Sequence, residues 1–237
     1  MAVFKKFLEK DEAKQIREWL EQDEEGWSTK PITGPSNPSI KHCQEYTGEF
    51  LGAIQNLIFE RLDQTRSWIQ YVVYPKATSA IIINRYRQGN FYREHLDVNS
   101  NSNLGAFHYS STLFISETTD YENGELVLTK DDEEIFYKLP SGDLLTYPTG
   151  TPHKVEDITK GIRYSIVFWT ESYIKEQKDR ELLRELFKGL DAFDVVTHGV
   201  HRTKLEDLGR ARRLFENIGE AIISKYDVFR YEKRNED

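Results

Sequence analysis

His95-x-Asp97, followed at a distance by His153, is the set of side chains here best suited to hold a metal. Two imidazoles and one carboxylate bind one face of a non-haem Fe(II) ion and leave its other positions open. Arg163, ten residues beyond the second histidine, is a candidate anchor for an anionic co-substrate. A guanidinium directed into a protein interior needs a negative partner, because an unpaired buried charge is very costly. A carboxylate meets that need through two parallel hydrogen bonds.

Residues two apart on a strand share a face, so His95 and Asp97 can reach one ion from a single strand or strand end. His153 follows the turn Thr149-Gly150-Thr151-Pro152, at the end of a stretch, Asp143–Tyr147, that reads as a strand. Alone, His-x-Asp is a weak signal, since a surface histidine bonded to a nearby aspartate gives the same pattern. Context adds weight: Arg163 opens another strand among Ile162, Ile166, Val167, Phe168 and Trp169. The four residues together point to an oxygenase that uses Fe(II), 2-oxoglutarate and O2. A cupin-like metal-dependent isomerase, or a small-molecule-binding protein without oxygenase activity, stays open as a reading from another class. Neither requires the arginine.

Three patterns succeed one another along the chain and must position these groups. Residues 8 to 22 read as an amphipathic helix with Leu8, Ala13, Ile16, Trp19 and Leu20 on one face. A loop rich in Pro, Gly, Ser and Thr follows from Gly26 to Ser39, and residues 45 to 64 return to a helical period. From about 71 to 170, short β-branched and aromatic runs alternate with turns. These runs are Tyr71–Tyr74, Ala80–Arg87, Ser111–Ser116, Glu125–Thr129, Glu134–Leu139, Asp143–Tyr147 and Arg163–Thr170. Asn123-Gly124 and Pro140-Ser141-Gly142-Asp143 are turn signals between them. Many short antiparallel strands predict a sandwich or jelly roll. Residues 174 to 190 and 205 to 225 are helical again, with Leu182, Leu183, Leu186, Phe187, Leu190, Leu208, Leu214, Ile218 and Ile222 at spacings of three and four. The predicted class is α+β: one domain over 1–237, with helical support in 1–70, a β core in 71–174 and a helical extension in 175–237.

Composition excludes some functions. With 38% hydrophobic and 13% aromatic residues among 237, the chain can bury a core. A net charge of -8 gives no general attraction to nucleic acid or anionic membranes. The basic runs Arg210, Arg212, Arg213 and Arg230, Lys233, Arg234 are interleaved with acids and read as solvated helix faces. A single cysteine, Cys43, excludes an internal disulfide. Lys5, Lys6, Glu9 and Lys10 break the start of the chain, so no leader is expected, and no apolar run is long enough to span a membrane. A cytoplasmic location fits these features and would keep iron ferrous.

Several motifs carry a resemblance. Asn84-Arg85-Tyr86, Tyr92-Arg93-Glu94-His95-Leu96-Asp97, Ser111-Thr112-Leu113-Phe114-Ile115-Ser116, Gly124-Glu125-Leu126-Val127, Leu139-Pro140-Ser141-Gly142-Asp143 and Tyr147-Pro148 with His153 closely resemble the PKHD-type hydroxylases. That family belongs to the prolyl 4-hydroxylase-like branch of the Fe(II)/2-oxoglutarate dioxygenases. The match runs from about 80 to 175, and Ile16-Arg17-Glu18-Trp19-Leu20 is similar more loosely. The resemblance implies a double-stranded β-helix core buttressed by terminal helices. It implies His95, Asp97 and His153 as iron ligands and Arg163 as partner of the distal carboxylate of 2-oxoglutarate. It places Tyr86 on a strand facing the co-substrate pocket and Trp169 at an aromatic wall, beside a plain core role for each.

The resemblance also implies hydroxylation of an aliphatic C–H in a prolyl or other amino-acid side chain, in a peptide, a protein or a free amino acid. Ascorbate is a candidate helper. Asp97 favours hydroxylation over halogenation, since related halogenases lack that carboxylate. No nucleic acid or membrane partner is expected. Two departures stand out: collagen-type prolyl hydroxylases carry Lys where this chain has Arg163, and Val98–Tyr109 lacks the basic residues of the PKHD pattern. That stretch is expected to rim the substrate entrance, with His108 as a surface, packing or substrate-touching residue. His42, His198 and His201 read as structural or surface residues.

Overall fold

The computed structural model describes residues 1–29, 34, 37–97, 100–101, 105–197 and 205–226. Its elements are β1 (Ala2–Phe4), α1 (Lys10–Gln22), β2 (Trp27–Ser28), β3 (Lys41–His42), β4 (Gln44–Tyr46), α2 (Leu51–Gln64), α3 (Arg66–Val72), β5 (Pro75–Thr78), β6 (Ile82–Arg87), β7 (Phe91–His95), β8 (Ser100–Asn101), β9 (Gly105–Ala106), β10 (Tyr109–Phe114), β11 (Tyr121–Asn123), β12 (Leu126–Lys130), β13 (Glu133–Tyr137), β14 (Leu144–Pro148), β15 (His153–Val155), β16 (Ile158–Ser172), α4 (Gln177–Thr197) and α5 (Leu205–Ile223). They fall into two compact units, Met1–Thr65 with Thr78–Glu171 and Arg66–Ala77 with Ser172–Asp237. No helix among the described residues is long and apolar enough to cross a membrane.

Two large antiparallel sheets and the short β8-β9 pair build the first unit. The larger has the order β1-β14-β10-β16-β6-β4-β2, and the smaller β13-β12-β15-β7-β3. β10 is buried at every position because it lies between β14 and β16. Along β16, Arg163, Ser165, Val167 and Trp169 line a cavity between the sheets, as a period of two requires. Tyr164 turns the other way, its ring 5.7 Å from Trp27. The Trp27 indole N–H also donates to the Leu20 carbonyl at 3.1 Å, which ties α1 to that face of the sheet. α1 starts at a capping box of Glu9 and Glu12 and buries Ala13, Ile16 and Leu20 of the predicted stripe, while Trp19 is half-buried and Leu8 precedes the helix.

Both predicted turns rest on left-handed backbone. Asn123 and Gly124 have φ of 62° and 73°. Gly142 has φ of 88°, and a Cβ there would lie 2.7 Å from the Leu8 carbonyl oxygen. Only glycine permits that approach.

Some expectations need correction. Tyr71–Tyr74 is not a strand: α3 continues to Val72, and Val73 and Tyr74 end it with φ of 55° and 54°. Trp68 and Val72, four apart and both buried, make a helical face that overrides β-branched propensity. The helix expected from 45 begins at Leu51, because Gln44 and Glu45 pair with Arg85 and Asn84 of β6. β2 lies inside the expected loop.

The second unit has its own core. Val73, Ile174, Leu183, Leu186 and Ile222 are buried together, with Tyr74, Phe187 and Phe215 against them. The predicted stripe on α5 is only partly inward, since Leu214 is 60% and Ile218 37% exposed. Steps of four drift about 40° around a helix of 3.6 residues per turn, so Ile222 is buried while Leu214 points out. Arg212 pairs with Glu216 at 2.9 Å on that helix, in keeping with a solvated face. Arg230, Lys233 and Arg234 lie outside the described residues.

Candidate metal centre

The ladder between β7 and β15 sets the two imidazoles side by side. His153 and His95 are Cα partners, with ring centroids 4.2 Å apart. His153 therefore opens a strand of its own, beyond the turn that follows β14. Asp97 lies two residues past the end of β7. Its Oδ1 is 3.8 Å from His95 Nε2 and 3.7 Å from His153 Nε2. One ligand atom from each of the three lies within 4.8 Å of the others, so the group could hold a metal ion.

Backbone carbonyls fix the tautomers. His95 Nδ1 is 2.9 Å from the Arg93 carbonyl oxygen, and His153 Nδ1 is 3.0 Å from that of Thr151. A carbonyl only accepts, so each Nδ1 carries the proton and each Nε2 keeps its lone pair for a metal. Burial, helped by the charge of neighbouring His153, pushes the His95 imidazole down to about 4. The Tyr92 ring stacks on His95 at 3.6 Å, and Tyr147 meets His153 edge-on at 5.4 Å. Burial, with Asp97 beside them, drives both phenols well above their ordinary range, so both stay protonated.

Asp97 is held from the facing sheet. Its Oδ2 accepts a hydrogen bond from Ser110 Oγ at 2.6 Å and another from Trp169 Nε1 at 2.9 Å. The carboxylate thus links the two sheets across the cavity, one oxygen toward each.

Arg163 is 1% exposed. Its Nη1 donates to Ser165 Oγ at 2.9 Å, but Nε and Nη2 have no hydrogen-bond partner among the described residues. The rings of Tyr86 and Phe114 each lie 5.4 Å from the guanidinium carbon. Aromatic faces ease a buried cation yet cannot accept two in-plane N–H groups. Nε and Nη2 are thus suited to an anion with forked acceptors. The triad and Arg163 line one cavity with about 480 Å³ of empty space, part of it open to solvent.

All six residues singled out from sequence line this cavity. Tyr86 is the Cα partner of Arg163, and burial holds its phenol well above the ordinary range. Trp169 does more than form a wall, since its indole bonds Asp97. Ser110, Tyr92, Tyr147 and Lys41 also line the cavity, and sequence reasoning misses them as site residues. The period-two parity that puts Arg163 and Trp169 on one face also flags Ser165 and Val167. His108 does not line the cavity, and His42 is exposed with its ring edge-on to Phe91 at 6.0 Å. His198, His201 and much of the rim stretch (positions 98, 99 and 102–104) lie outside the described residues.

Comparison with known proteins gives the family and the fold. The family model of the 2OG-Fe(II) oxygenase superfamily matches residues 81–171. A PKHD-type hydroxylase of Idiomarina loihiensis is 33% identical over 194 residues, covering 81% of this chain and 82% of its own. The PKHD-type hydroxylase YbiX of Escherichia coli is 31% identical over 218 residues, covering 89% of this chain and 93% of its own. A prolyl-4-hydroxylase of Pseudomonas putida superposes with a TM-score of 0.54 at 19% identity, over 72% of this chain and 91% of that one. A prolyl hydroxylase of Trichoplax adhaerens, solved with a hypoxia inducible factor peptide, gives 0.52 at 16% identity, over 78% and 86%. The shared fold is the jelly roll, or double-stranded β-helix, within an α+β chain.

Proposed function

Because this chain belongs to the PKHD-type hydroxylases of the 2OG-Fe(II) oxygenase superfamily, we propose that His95, Asp97 and His153 hold its iron and that Arg163 binds the distal carboxylate of 2-oxoglutarate. The enzyme is an oxygenase of that class, with Fe(II) as cofactor and 2-oxoglutarate and O2 as co-substrates. The observation that carries the assignment is Arg163: a buried guanidinium with two nitrogens unpartnered among the described residues, in the same cavity as two imidazole lone pairs and a carboxylate. A keto-diacid answers both needs at once, since one end can chelate a metal while the other pairs with arginine.

Iron bound there would supply the activation of O2, coupled to oxidative decarboxylation of the keto acid. The protein's part is placement. Nε2 of His95 and of His153 and one oxygen of Asp97 would hold the metal and leave its other positions to ligands from solution. Arg163 fixes the length and direction of the co-substrate by forking onto its far carboxylate. Tyr86 and Phe114 beside it, with Leu126 and Val155 in the cavity wall, keep water from that pair and so strengthen it.

As acceptor we propose the aliphatic C–H of a prolyl or other amino-acid side chain, in a peptide, a protein or a free amino acid. The relatives' hydroxylase names and the prolyl hydroxylases of the same fold support it. The test is mass spectrometry of a peptide and amino-acid panel with Fe(II), 2-oxoglutarate and ascorbate. A gain of one oxygen matched by succinate is expected. Succinate formation that survives Asp97→Ala would overturn the ligand assignment.

A further inference from the structure

Ser110 on β10 and Trp169 on β16 are Cα partners, and both donate to the same oxygen of Asp97. A carboxylate oxygen offers two lone-pair sites in its plane. Two donors at 2.6 and 2.9 Å engage both sites of Oδ2. The other oxygen, Oδ1, faces the two imidazole Nε2 atoms at 3.7 and 3.8 Å. The donors are themselves fixed. Ser110 is 2% exposed on a fully buried strand. Trp169 is held at its backbone by Ser79, whose N–H donates to the Trp169 carbonyl at 2.9 Å and whose Oγ accepts the Trp169 N–H at 3.0 Å.

We propose that Ser110 and Trp169 form a two-donor clamp that restricts Asp97 to one-oxygen ligation of the metal through Oδ1. This rests on the reading of His95, Asp97 and His153 as the iron ligands. The consequence is a count of positions. In an octahedral ion, two imidazoles and one carboxylate oxygen leave three places, enough for a chelating keto acid and O2. A carboxylate chelating through both oxygens would take one of those places, and a chelating co-substrate would then leave none for O2. Ser110 and Trp169 are thus positioning residues, acting on the metal through Asp97.

The test uses the full chain loaded with Mn(II), and with Co(II) for its visible bands. Trp169→Phe keeps the ring and removes the indole N–H; Ser110→Ala removes the hydroxyl; Ser110→Thr keeps a hydroxyl while adding bulk. Each loss of a donor is expected to weaken Mn(II) binding by about 10-fold, and the double variant by about 100-fold, the range for outer partners of a ligand. The Co(II) bands, which report coordination number, should change in both donor-loss variants and stay as in the wild type in Ser110→Thr. A role in packing alone predicts the reverse order, with the larger threonine worse than alanine. Wild-type affinity and bands in Trp169→Phe and Ser110→Ala, with binding lost in Asp97→Ala, would refute the clamp and leave the ligand assignment standing. Unchanged metal binding in Asp97→Ala would remove both. Unfolding midpoints without metal identify a variant that fails to fold; if Trp169→Phe does, the serine pair decides.

Discussion

His153 faces His95 directly across the β15–β7 ladder, so the distance between the two imidazoles is set by strand register. A slip of one residue would turn either ring to the opposite face of the sheet. Removing either ring should therefore be more damaging than removing an outer partner. His95→Ala and His153→Ala are each expected to lower Mn(II) affinity by more than about 100-fold, beyond the range for outer-shell losses. Succinate formation should fall to background in both. Titration calorimetry showing near wild-type affinity in either variant would remove that ring from the ligand set.

Arg163 poses a trade between stability and binding. Two of its buried nitrogens lack partners among the described residues. Unsatisfied buried groups cost about 1–3 kcal/mol. Arg163→Met should thus stabilise the protein without co-substrate by about that amount, read as a shift in urea midpoint. The same change should raise KM for 2-oxoglutarate by about 100-fold or more, since the far carboxylate loses a buried charged partner. Added 2-oxoglutarate should raise the unfolding midpoint of the wild type and not that of the variant. A variant both less stable and unaltered in KM would speak against the anchor.

The candidate triad and the arginine are legible in the sequence because each sits in a local pattern: a two-residue step, a turn before a strand, a charge among apolar neighbours. The same parity places Arg163 and Trp169 on one face of β16. What parity cannot give is a partner. The bond from Trp169 to Asp97 spans 72 positions and depends on two sheets meeting. β3 and β4 leave no trace in the pattern because strands of two or three residues carry no period to detect. Tyr71–Tyr74 reads as a strand because its sequence favours one locally, while burial of Trp68 and Val72 carries helix α3 through to Val72.

Stability without metal should depend on pH through His95. Its pKa falls from an ordinary 6.5 to about 4 in the folded chain, with burial as the largest cause. Between those values the unfolded chain binds the proton and the folded one does not, so unfolding takes up protons. Stability should therefore be highest above about 6.5, decline as pH falls through that window, and flatten below about 4 as far as this group is concerned. His95→Gln should reduce the slope there. Urea midpoints across the window test this; equal slopes in wild type and variant would mean that other groups carry the acid sensitivity.

Lys41 and Glu45 form a buried ion pair at the cavity wall, 2.5 Å apart with side chains only 4% and 2% exposed. Removing one partner of such a pair takes the matching opposite charge from the other, at a cost of up to about 3–5 kcal/mol, while replacing both with apolar groups is often neutral. Lys41→Met is thus expected to destabilise strongly, and Lys41→Met with Glu45→Leu to recover most of the loss. The lysine also has a local role: its Nζ lies 5.2 Å from the Tyr92 ring centroid, and that ring stacks on His95. The double variant should accordingly regain stability more fully than metal affinity, because the cation beside Tyr92 is still missing. Denaturation and Mn(II) titration of the three variants, Glu45→Leu included, separate the two effects; full recovery of both in the double variant would confine Lys41 to a structural part.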